Sequence, residues 1–166
     1  MLGLSFGPAH AVEEGSNEKK PGMFSRVLKV FRGSPKGGDR TRADWKNLAL
    51  TMSLDPAQVK LGENRQVKVA LRLSNKGKKL VQLEFPTTQR IEVLVRRQDG
   101  KLLEQWSEDQ AFSNEPTLVT INPGERLEYT VSVSTRDMEP GQRYTIEGFF
   151  PNFEPLKTSK SVTPEK

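Results

Sequence analysis

Residues 90–106 read RIEVLVRRQDGKLLEQW. Ile91, Val93 and Val95 recur at a period of two, Asp99–Gly100 follows, and a second mixed run leads to Trp106. Alternate side chains of a strand face opposite sides of a sheet, and Asp–Gly between two such runs is a strong hairpin signal. The stretch predicts two short antiparallel strands joined by a tight turn.

The same period extends in both directions. Towards the N-terminus, LALTMSLD (48–55) sets Leu48, Leu50, Met52 and Leu54 on one face, and Pro56 and Gly62 mark a turn. QVKVALRLSN (66–75) places Val67, Val69, Leu71 and Leu73 inward and Lys68 and Arg72 outward. KKLVQLEFP (78–86) supplies a further strand that Pro86 ends. Towards the C-terminus, TLVTINPGERLEYTVSVS (117–134) gives two strands around Pro123–Gly124, with Leu127, Tyr129, Val131 and Val133 in register. QRYTIEGFF (142–150) follows Pro140–Gly141, and SKSVTP (159–164) offers a last edge strand. After Asp44 no stretch has the period of a helix. A run of about eight or nine short strands without crossover helices predicts an all-β, antiparallel sandwich or barrel. One-sided alternation and the Gly141–Gln142–Arg143–Tyr144 entry into a strand favour the immunoglobulin-like sandwich. A Tyr there suits a tyrosine corner, in which the hydroxyl bonds back to the backbone.

The expected organisation has three parts: residues 1–11, residues 12–46, and a sandwich domain over 47–163. MLGLSFGPAHA (1–11) reads as the back half of an export signal, with a short apolar run and small Ala9 and Ala11 before a cleavage point. It lacks a basic start, and the other reading is a disordered N-terminus with chance small residues. Export predicts a secreted or periplasmic protein; without cleavage the chain is expected in the cytoplasm. No stretch reaches the roughly 18 apolar residues of a membrane span.

Residues 12–46 read as a flexible basic extension. Lys19–Lys46 holds nine basic and two acidic residues, a net +7, whereas the chain as a whole carries +5. Within it PGMFSRVLKVFRG (21–33) spaces Phe24, Val27, Leu28 and Phe31 as one face of a short helix, with Arg26, Lys29 and Arg32 between them. Phe24, Arg26, Lys29 and Phe31 could touch an anionic membrane surface or a partner groove. At about ten residues such a helix is marginal alone, so it could equally fray or pack on the sandwich. Nucleic acid is not an expected partner, because the segment lacks interleaved stacking aromatics apart from Phe24 and Phe31.

The chemistry available is narrow. The chain has no cysteine and one histidine, His10, inside the expected leader. Without them no Ser–His–Asp triad, Cys–His pair, disulfide or zinc–thiolate site can be built. No calcium-loop spacing occurs, so no metal and no cofactor are expected. Catalysis is not expected; binding of another macromolecule by a monomer is.

From Leu71 to Phe149 the order of elements resembles the BsuPI-type intracellular proteinase inhibitor family of bacteria. LRLSNKGKKLVQLEF resembles its strand–Asn–turn–strand opening. TTQRIEVLVRRQDGKLLEQWS resembles its Gln-led strand, Asp–Gly turn and Trp–Ser ending. AFSNEPTLVTINPGERLEYTVSV resembles its Phe, apolar strand and Pro–Gly–Glu turn, and MEPGQRYTIEGFF its closing Pro–Gly–x–x–Tyr strand. The bulky residue usual after Pro–Gly–Glu, often Trp, is absent from YTVSVST. The resemblance implies an immunoglobulin-like fold and, from the founding members, inhibition of a subtilisin-type serine protease. Trp106, Pro123, Gly124, Gly141 and Tyr144 are then framework residues. The loop 107–116, with Ser107, Glu108, Asp109, Phe112 and Asn114, is the expected partner-binding loop, and the Thr135–Pro140 turn is the other candidate. Trp106 and Phe112 could instead pack down as core, since aromatics bury large areas. The rival to inhibition is a structural or adhesive envelope domain tethered by its basic segment.

Overall fold

The computed structural model describes residues 45–166. The readings of residues 1–11 and of the 21–33 run, with Phe24, Arg26, Lys29 and Phe31, lie outside the described residues. A short 3-10 turn at Trp45–Asn47 leads into β1 (Leu48–Asp55), β2 (Gln66–Asn75), β3 (Val81–Phe85), β4 (Glu92–Arg97) and β5 (Leu102–Gln105). A second 3-10 turn at Trp106–Asp109 precedes β6 (Thr117–Ile121), β7 (Arg126–Ser134), β8 (Tyr144–Phe149) and β9 (Lys157–Val162).

The protein is all-β, and every pairing between these strands is antiparallel. One sheet runs β1–β2–β7, a second runs β5–β4–β8–β9, and β3 pairs with β6 as a separate ribbon. The two sheet orders match the A–B–E and C–F–G cores of an immunoglobulin-like sandwich. The strand in the place of D is β6, and it pairs with β3 instead of with β7.

Alternation explains which side chains meet between the sheets. Val67, Val69, Leu71 and Leu73 of β2 are fully buried, as are Val93, Val95 and Ile146 from the facing sheet. Lys68 and Arg72 point out, and Arg72 bonds Glu128 across the β2–β7 pair. Truncating one such core residue to Ala costs about 2–5 kcal/mol, through lost transfer energy and the cavity left behind. The layers touch closely at Gly148, where a Cβ would lie 2.6 Å from Leu71 Cδ2 and 2.8 Å from Met52 Cε. A residue without a side chain is needed there for β8 to press onto the first sheet.

The two ends of the sandwich differ in content. At one end sit the β4–β5 turn, the β7–β8 turn and the C-terminus, tied by Gln98 N–H to Arg143 O (3.1 Å) and Gly141 N–H to Pro164 O (2.8 Å). Tyr144 is 1% exposed there, and its hydroxyl accepts the Glu139 N–H at 2.8 Å, which closes a tyrosine corner. The opposite end gathers the β3–β4, β5–β6 and β8–β9 connections. The β8–β9 loop buries Phe150, Phe153 and Leu156, and Phe153 meets Trp45 edge-on at 5.2 Å and Phe85 at 5.1 Å.

Candidate functional site

The β5–β6 connection is long for a β-hairpin-like link, and its two roots are held by the first residue of β4 and by the β3–β4 connection before it. The first root depends on Glu92, the opening residue of β4. Ile91, Glu92 and Val93 are all buried, so the simple alternation breaks there, and the Glu92 side chain is 5% exposed. Its Oε1 accepts the N–H of Val93 (3.0 Å) and of Ser107 (3.2 Å). Its Oε2 accepts Gln105 Nε2 (3.1 Å), Gln89 Nε2 (3.3 Å) and the Ser107 hydroxyl. Burying a carboxylate is costly unless its lone pairs are filled, and charge-assisted bonds of this kind are the stronger ones. Among the described residues no Lys or Arg pairs with it. Neutral donors alone fill its shell, and they belong to three different segments of chain.

The second root lies at Ser113. Its N–H donates to Thr88 Oγ1 (2.9 Å) and its carbonyl accepts the Thr88 N–H (3.0 Å). Thr117 Oγ1 adds a bond to Thr87 O at 3.3 Å. The platform is itself fixed: Arg90 donates to Thr87 O (3.0 Å) and lies 4.8 Å over the Phe85 ring.

Between the roots the side chains face outward. Glu108, Asp109, Gln110 and Ala111 are exposed, as are Ser113, Asn114, Glu115 and Pro116. Phe112 is half-buried and meets Trp106 edge-on at 6.0 Å. Trp106 packs in turn against the core. The two aromatics therefore take different roles: Trp106 rests on the core, and Phe112 rests on Trp106 from outside. The Ser107 hydroxyl donates a hydrogen bond to Glu92, which makes Ser107 an anchor. Pro123–Gly124 and Gly141–Tyr144 stand in turns away from this loop, and the Gly124 N–H donates to Asn75 O at 2.9 Å.

A further carboxylate lies within electrostatic reach of Asp109 in the loop. Glu104 on β5 accepts the Ser134 N–H at 2.8 Å. Burial, and then repulsion from Asp109 and Asp137, push its carboxyl above the ordinary range, against the lowering effect of that bond. Among the described residues no group of three His, Cys, Asp or Glu is placed to hold a metal ion. The arrangement can present a shaped surface, with Ser107 held against the Glu92 carboxylate.

Gln89, Glu92 and Thr88 were not among the sequence-derived candidates. The available signal was the pairing of a Gln-led strand with a Trp–Ser ending, because Gln89 and Ser107 share the Glu92 carboxylate.

A search of curated proteins finds no match. Solved structures similar to the chain include β-glucuronidase of Bacteroides uniformis (15% identity, TM-score 0.35, covering 70% of this chain and 13% of that one). They also include β-glucosidase of Listeria innocua in complex with glucose (16%, TM-score 0.44, 72% and 16%). A third is β-glucosidase 3B of Thermotoga neapolitana in complex with alpha-D-glucose (20%, TM-score 0.38, 72% and 16%). The chain thus spans 13–16% of the length of these enzymes, and nothing about their activity is carried over. A family model described as intracellular proteinase inhibitor, BsuPI, matches residues 52–153. With more than half its length matched and that segment running from β1 to the β8–β9 loop, the chain belongs to the BsuPI family of intracellular proteinase inhibitors.

Proposed function

We propose that the protein is a non-enzymatic, monomeric inhibitor that offers the Glu108–Phe112 span to the cleft of a serine protease of the subtilisin type. The observation that carries this reading is the double rooting of the loop, at Ser107 through Glu92 and at Ser113 through Thr88. A segment already fixed in one shape loses little entropy on docking, which is how a rigid loop gains affinity. Family membership supports a protease as the partner, and the rooted, exposed loop supports this span as the contact. Phe112 is the side chain best suited to anchor the contact, since aromatic residues on a supported loop often dominate binding energy.

The test uses the full chain against a panel of serine proteases, with active-site titration to read a one-to-one stoichiometry. Phe112→Ala is expected to weaken inhibition by about 2 kcal/mol or more. Its unfolding free energy should change by less than about 1 kcal/mol, because the ring stacks on Trp106 outside the core. A stability loss with no separate loss of inhibition makes Phe112 a packing residue and sinks the loop assignment. Export is a separate proposal, resting on residues 1–11; among the described residues no helix is long and apolar enough to cross a membrane. A native N-terminal mass that includes Met1 overturns it.

A further inference from the structure

The β2–β3 turn has no part in the loop described above. It reads Asn75–Lys76–Gly77–Lys78–Lys79–Leu80, and Lys76, Lys78 and Lys79 are all exposed. Its backbone is fixed from below by Asn75, which is 0% exposed. Asn75 Nδ2 donates to Lys79 O (2.8 Å) and Ile121 O (3.0 Å), and its Oδ1 accepts the Gly77 N–H (2.9 Å). Lys76 N–H donates to Asn47 O at 2.8 Å, which brings Lys46 to the same place. Arg126, paired in register with Ser74, adds another exposed cation. The carboxylates on either side of Arg126 along the chain are engaged: Glu125 accepts Asn122 N–H (2.7 Å) and Nδ2 (2.9 Å), and Glu128 holds Arg72. Among the described residues none of these five cations forms an ion pair.

The turn also carries an apolar tip. Val81, Leu83 and Phe85 point into the core, so alternation sends Leu80 outward, and it is 52% exposed. One exposed leucine is ordinary on a protein surface. A leucine at the head of a rigid turn, flanked by three lysines that form no ion pair among the described residues, is a different object. Lysines meet an anionic surface as point charges on long apolar stems while the leucine enters the acyl boundary. A nucleic acid would be met by stacked aromatics or arginine forks, and the turn has neither. In sequence, Lys46 is the last residue of the +7 segment Lys19–Lys46.

We infer that the β2–β3 turn is a docking surface for anionic phospholipid, with Leu80 as the inserted side chain and Lys76, Lys78 and Lys79 on the headgroups. The inference does not depend on the inhibitory reading. Because the chain has no cysteine, Leu80→Cys places one polarity-sensitive fluorophore at this site alone in the full-length protein. With vesicles of three parts phosphatidylcholine to one part phosphatidylglycerol, the fluorophore is expected to shift to the blue; phosphatidylcholine alone should leave it unmoved. Lys76→Gln, Lys78→Gln and Lys79→Gln together should weaken vesicle partitioning of the unlabelled chain by about a hundredfold, the effect of three basic residues at an anionic surface. Their side chains are solvated, so an unchanged circular dichroism spectrum is expected. An unshifted fluorophore on vesicles that do bind the chain overturns the inference, because binding then lies elsewhere. Equal partitioning of the triple variant, or a response to duplex RNA and none to vesicles, overturns it as well.

Discussion

Two connections were open to reading as the contact loop, and they are held in opposite ways. The Thr135–Pro140 turn is held by what it buries. Thr135 and Met138 are 4% and 6% exposed, Thr135 Oγ1 donates to Asn64 O at 2.6 Å, and the Tyr144 hydroxyl accepts the Glu139 N–H. The 107–116 loop buries no residue of its own. It is held at its roots by polar groups of the first residue of β4 and of the β3–β4 connection before it. A turn fixed by inward side chains spends them on the fold. A loop gripped at its ends leaves its middle exposed.

The contrast breaks most sharply at the corner. Tyr144→Ala should cost about 3–5 kcal/mol of unfolding free energy, as large aromatic truncations in cores do, read by urea denaturation. Residual inhibition, measured on the folded fraction, should be unchanged. A loss of inhibition in that fraction moves the contact surface to the corner end.

At the other end, Glu92→Gln should cost less stability and more function. Glutamine offers one acceptor atom and brings two N–H donors towards groups that already donate. Leaving buried donors unpaired costs about 1–3 kcal/mol. The root at Ser107 then loosens, and inhibition should fall by at least about tenfold beyond the stability effect, with faster amide exchange confined to residues 107–112. Equal exchange rates in the two proteins would mean that Glu92 does not set the shape of the loop.

The smallest expected effect belongs to Glu104, which lies between the loop and the corner turn. Its folded-state pKa is raised, first by burial and then by Asp109 and Asp137. A carboxyl raised in the folded state contributes stability below its unfolded pKa, and that contribution is lost as pH rises through the folded value. Glu104→Gln should therefore slightly raise the unfolding midpoint at pH 7. The advantage should vanish as pH falls below the carboxylate range, where both side chains are neutral. A variant less stable at pH 7 would mean that the bond from Ser134 N–H outweighs burial and repulsion.

The strands were legible because their periods are clean. β2, with Val67 to Leu73 inward, and β8, with Tyr144 and Ile146 inward, carry their burial in their spelling. The hairpin turn was legible for a local reason as well. Asp99 accepts the Arg97 guanidinium and then the Lys101 N–H (3.0 Å), which hold its carboxyl at about 2, and Gly100 takes a φ of 88°. The position of the loop was legible from the Trp–Ser ending and the gap before Thr117. Its support was not. Glu92 sits where alternation sends a side chain outward, and a glutamate in a strand ordinarily reads as a solvated charge. Only the fold brings Gln89, Gln105 and Ser107 onto one carboxylate. The separate β3–β6 ribbon was illegible too, because strand spelling fixes faces and leaves partners open.

The double rooting of the loop has a bearing on what a protease could achieve there. Suppose the peptide bond before Gln110, Ala111 or Phe112 were cut. The new carboxyl end would remain tied through Ser107 to Glu92, and the new amino end through Ser113 to Thr88. Neither fragment could diffuse away, since both stay fastened to the same β3–β4 platform. The severed ends would face each other at high local concentration, and re-forming the bond would compete with its hydrolysis. A cut would leave the surface standing.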